Sequence, residues 1–81
     1  MIAAIRRALA RRRAVRAEGA ALVAMHGSAA AVIALWRADV LSGAERHYWL
    51  DVARFAGRWH AHLAALDTAT RYLEEGRYLA R

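Results

Sequence analysis

The sequence predicts an all-α fold, and two observations nearly force it. No proline occurs anywhere and alanine is the commonest residue, so the best helix former is abundant and the strongest helix breaker absent. β-branched residues are few and scattered, with no alternating run long enough for a strand. At 81 residues there is room for one domain over 1–81, small enough to want a staple or a partner.

The first helix is expected over about 2–40. Ile2, Ile5 and Leu9 line one edge of a stretch that also carries Arg6, Arg7, Arg11, Arg12, Arg13 and Arg16. After Glu18 the character changes. Gly19 through Trp36 holds no charged residue, and Leu22, His26, Ala29, Ile33, Trp36 and Val40 form a heptad seam. Gly27-Ser28 can kink or split this helix, because glycine is costly in a helix interior and serine caps new starts. One long helix with a local bend is the expectation.

A turn over 41–44 follows. Ser42 and Glu45 stand at capping-box spacing, with Gly43 loosening the chain beside them. The second helix, about 43–75, is the best patterned part of the chain. Trp49, Val52, Ala56, Trp59, Leu63, Leu66, Thr70 and Leu73 follow alternating three- and four-residue steps, and Tyr48, Phe55 and His62 recur along one flank. Together they cover about 140° of the helix surface, broader than one neighbouring helix can bury. Arg54 and Arg58 face the opposite side, while Asp67, Arg71 and Glu75 are spaced for surface ion pairs. Gly76 offers a stop that would leave residues 77–81 as a short tail, and a helix running on through it is the alternative. The predicted architecture is therefore an antiparallel helical hairpin that pairs into a four-helix bundle or packs within a larger assembly.

With no cysteine, disulfides, thiolate metal sites and thiol nucleophiles are excluded, which suits a cytoplasmic protein. His60 and His62 diverge on a helix, and His47 with Asp51 offers only two ligands, so neither a metal nor another cofactor is expected. Both serines sit near a turn or kink, most of the carboxylates occupy cap or ion-pair positions, and no glycine-rich phosphate loop occurs. The chain does not read as an enzyme.

All 13 basic residues are arginine against 7 acidic ones, a net charge of +6 that favours acidic protein, nucleic acid or anionic lipid as neighbours. The first reading is a non-catalytic assembly or adaptor subunit, either a homodimer or part of a larger complex. Trp36, Trp49, Val52, Phe55, Trp59, Leu63 and Leu66 make its protein interface. Arg6, Arg7, Arg11, Arg12, Arg13 and Arg16 meet an anionic partner. The second reading is a nucleic-acid-binding protein using that arginine cluster on phosphates. The third is a membrane-surface protein with a basic amphipathic N-terminal helix. The alanine-rich, histidine-interrupted stretch after Glu18 is too weakly apolar to be expected to span a bilayer.

Overall fold

Alanine-rich sequence without proline gives helix almost throughout. The computed structural model describes residues 1–79, with side chains described through Gly76. In it α1 spans Ile2–His26, a single 3₁₀ turn covers Gly27–Ala29, α2 spans Ala30–Asp39 and α3 spans Gly43–Leu79. Among the described residues there is no strand. The structure is all-α, and α2 and α3 form an antiparallel hairpin, with Ala31 of α2 lying against Gly57 of α3.

The hairpin corner is built by glycine. Gly43 takes φ 61°, a left-handed conformation that glycine enters without steric cost. The Leu41 N–H donates to the Ala38 carbonyl at 3.1 Å, and the Arg46 N–H to the Ser42 carbonyl at 3.4 Å. The capping box expected between the side chains of Ser42 and Glu45 is not formed. A capping serine needs helical backbone directly after it, and Gly43 turns the chain away at that step.

The kink expected near Gly27 is present and is far more than a local bend. Gly27 adopts φ 56° and ψ −125°, a combination open in practice only to glycine. Its N–H still bonds the Val23 carbonyl, closing α1, and its carbonyl accepts the Ala30 N–H, opening α2. Between those two bonds the chain doubles back. Arg11 of α1 meets Asp51, and Gly19 lies against Phe55 and Ala56, so numbering rises together along α1 and α3. Along α2 and α3 it runs oppositely. The stretch of α1 from Arg11 to Gly19 rises about 12 Å, whereas that of α3 from Asp51 to Phe55 rises about 6 Å. Helix α1 therefore crosses α3 steeply instead of lying alongside it.

The core sits where the three helices meet, and it is made of small side chains. Val15, Leu22 and Val23 come from α1, Ala30 and Ala34 from α2, and Val52, Ala53 and Ala56 from α3. Val52 is the one large side chain fully buried among the described residues. Backbones approach closely: a Cβ on Gly19 would sit 2.5 Å from Phe55 Cδ1.

This packing corrects the expected seam of the first helix. Leu22 is buried and Ile33 half-buried, but His26, Ala29, Trp36 and Val40 are exposed. In α2 the inward ridge is Ala30, Ala34 and Ala38. The break at Gly27 ends the heptad register, and alanine lets α2 come closer to α3 than Trp36 would.

Helix α3 continues through Gly76, which keeps an ordinary negative φ and so provides no stop. From Ala61 to Gly76 every side chain is exposed, and the longest dimension of the molecule reaches 57 Å. Within Ile2–Asp39 there is also a stretch, of mean hydropathy 1.6, apolar enough by length and composition to cross a membrane. Soluble cores, leader segments and spans all share this property, so it assigns no compartment. In this fold the stretch is interrupted by the reversal at Gly27.

Candidate functional site

The doubling back of α1 creates a feature that neither helix has alone. Where α1 crosses α3, an open groove of about 410 Å³ is lined by Arg11, Arg12 and Arg16 on one wall and Asp51, Arg54 and Arg58 on the other. Val15 and Phe55 form its apolar floor. Five guanidinium groups face one carboxylate, an excess of positive charge held together by the packing beneath it.

Asp51 ties the walls together. Its Oδ2 accepts from Arg11 Nη1 at 2.7 Å, a charge-assisted hydrogen bond linking α1 to α3. Its Oδ1 lies 3.9 Å from Arg54 Nη1. Among the described residues Arg12, Arg16 and Arg58 have no carboxylate partner. Guanidinium presents planar, paired donors to carboxylate or phosphate, so these three leave the groove with donors of the kind that such anions accept. Among the described residues the lining carries no histidine, serine or cysteine.

Tyr48 lies near one end of the crossing. Burial pushes its hydroxyl pKa above the ordinary 10.0, the charge of Glu18 pushes further in the same direction, and Arg11 opposes both. Down α3 from the groove floor runs an aromatic ladder. The Phe55 and Trp59 rings stack with centroids 6.1 Å apart at 13°, and Trp59 and His62 stack at 5.7 Å and 26°. His62 is exposed at the free end.

The expected anion-contact residues divide into two groups. Arg11, Arg12 and Arg16 line the groove; Arg6 and Arg7, on earlier turns of α1, and Arg13, on another face of the crossing segment, lie outside it and are exposed. Arg54 and Arg58 join the site without having been expected there. Their spacing opposite the apolar seam was visible in the sequence, but their partner wall was not, because it depends on the reversal at Gly27.

The expected interface residues divide too. Val52 is 0% exposed and packs only within its own chain, so it is withdrawn from any partner contact. Trp49, Phe55 and Trp59 are half-buried against the core. Trp36, 69% exposed, and Leu63 and Leu66 remain open. Trp36 and Trp49, on either side of the hairpin corner, do not stack on each other. Instead the Arg37 guanidinium sits over the Trp49 ring, 4.7 Å from its centroid, and Tyr48 meets that ring edge-on at 5.6 Å. An arginine one residue further along α2 reaches the ring because Ala34 and Ala38, not Trp36, face inward.

His26 and His62, placed by their spacing among the apolar positions of the two helices, are both exposed. His47 and Asp51 make no shared site, since Asp51 is engaged by arginine. Among the described residues no three histidine, aspartate or glutamate side chains gather as a ligand set. The fold and groove define a small all-α protein with an arginine-lined cleft. No protein-family model, curated protein or solved structure matches the chain.

Proposed function

We propose that this chain is a non-catalytic assembly subunit that pairs with a second copy and presents its arginine groove to an anionic partner. The observation that carries the reading is surface beyond that of a compact monomer, with large apolar side chains exposed on it. A compact monomer of 9.0 kDa exposes about 4,900 Å². This chain exposes 6657 Å². The surplus, about 1,800 Å², is enough for each copy's share of a stable dimer interface.

That surplus includes two apolar faces. One is the outer face of α2, where Val32, Leu35 and Trp36 are exposed; the other is the bare part of α3, with Leu63, Leu66 and Leu73. In a symmetric dimer each face can cover the other on the second copy, the reciprocal arrangement that a two-fold axis requires. The α2–α3 hairpins of two copies then make four helices, with the α3 contact centred on Leu66 to Leu73, so that the groove and His62, a turn nearer the corner, stay outside it.

Sedimentation equilibrium tests this. The native chain is expected at twice 9.0 kDa, and the Trp36→Asp, Leu66→Asp double variant at 9.0 kDa with its helix content retained. A native chain that sediments as a monomer at all concentrations overturns the reading.

A further inference from the structure

We propose that the groove binds single-stranded nucleic acid, with the phosphate backbone passing between its arginines and a base stacking on the free face of His62 at the end of the aromatic ladder. This deepens the proposed function by naming the anionic partner of the same groove.

Three observations converge on it. Guanidiniums stand on both walls, and Arg12, Arg16 and Arg58 lack carboxylate partners, so the site is built to neutralise more than one negative charge. The arginines converge on a small open cleft, whose curvature a flexible strand can follow more closely than a rigid duplex. Phe55 is at once groove floor and first rung of the ladder that continues through Trp59 to the exposed His62. A cationic track beside stacked aromatic rings is how sequence-tolerant single-strand binders hold backbone and bases together.

A lipid surface would use the cations but leave the ladder without a role. It also meets an obstacle on α1. The helix face of Ile2, Ile5 and Leu9 is taken over by Arg12 and Arg16 on the following turns, so no continuous apolar face is available to enter an interface.

The test is fluorescence anisotropy of the full chain against a labelled oligothymidylate of about 12 nucleotides, within the size range of such sites. The same-length duplex and phosphatidylserine-containing vesicles run alongside, across a salt series. Single-strand binding is expected to exceed duplex binding, with log K falling against log salt at a slope of about −2 to −4, from three to five phosphate contacts. The Arg12→Gln, Arg16→Gln, Arg58→Gln triple variant should lose at least tenfold in affinity and flatten that slope by about 2. His62→Ala should lose about tenfold with the slope unchanged, because stacking releases no counterions. All four side chains are exposed, and circular dichroism checks that the variants fold.

No binding at low salt overturns the inference, as does equal affinity for duplex, an unaltered triple variant, or binding to vesicles alone. Sedimentation of the same preparations separates the two proposals. A dimer that binds no strand removes the nucleic-acid inference and leaves the assembly, whereas a monomer that binds strand does the reverse.

Discussion

Along α3, the residues from Trp49 to Trp59 and those from Leu63 to Leu73 carry the same three- and four-residue apolar spacing, yet only the first set is covered. Val52 and Ala56 are fully buried beneath α1 and α2, whereas Leu66 is 50% exposed and Leu73 67%. The difference lies in the neighbours. Helix α2 spans 10 residues and α1 folds back over the same part of α3, so both partners crowd one half and leave the other bare. An apolar spacing states that a face needs cover; chain reversal decides which part receives it.

The contrast predicts very different responses to the same change. Val52→Asp places an unpaired charge in the shared core and should cost about 3–5 kcal/mol, enough to unfold a domain this small. Leu66→Asp, on the same seam, should change the unfolding free energy of the isolated subunit by no more than about 0.5 kcal/mol. Chemical denaturation of each variant, under conditions that keep the subunits apart, measures both. Equal effects would break the distinction between the two halves.

A second pair of changes tests what holds α1 across α3. Gly27→Ala meets no steric neighbour, so its cost is that of forcing a Cβ residue into the Gly27 backbone conformation, about 1–3 kcal/mol. Small-angle scattering, under conditions that keep the subunits apart, should show a radius of gyration above the 17.1 Å of the native subunit as α1 swings out. Gly19→Leu drives a side chain into Phe55 and should also cost about 1–3 kcal/mol, opening the groove.

Two smaller effects sharpen the map. Because the folded state raises the Tyr48 pKa, its neutral form is favoured by folding. The associated stability is fully present below pH 10.0 and is lost as pH rises through the raised value. Tyr48→Phe should therefore reduce the alkaline loss of stability and leave behaviour near neutrality unchanged, as thermal melts across that range would show. Asp67→Asn removes an exposed pair 3.2 Å from Arg71 on the bare half, and should cost no more than about 0.5 kcal/mol by the same melts.

Much of this architecture was legible in the sequence. Helix content followed from alanine and the lack of proline, and the corner near Gly43 from the turn chemistry around Ser42. The Asp67–Arg71 pair followed from its spacing, although Arg71 makes no pair with Glu75 among the described residues. Hidden from it was the size of the turn at Gly27. Glycine announces freedom without direction, so Gly27-Ser28 fitted a gentle kink as readily as a reversal. That one ambiguity propagated. It placed Trp36 in a seam where Ala34 and Ala38 now lie, and it concealed that Arg54 and Arg58 would face Arg12 and Arg16. The alanine ridge of α2 was missed for another reason, since hydrophobic pattern reading favours large side chains over those that allow close approach.

The groove's walls come from distant parts of the chain, as the bond joining Arg11 to Asp51 shows, 40 positions apart. An unfolded chain disperses those guanidiniums, so the site and the fold exist together. By mass action, any anion that prefers the assembled groove shifts the folding equilibrium towards the native state, by about 2.7 kcal/mol at a free concentration one hundred times its dissociation constant. For a domain whose core holds one large, fully buried side chain, that linkage is comparable with the entire margin by which it stays folded. Occupancy of the groove would then govern how long α1 remains docked, and with it the lifetime of the native state.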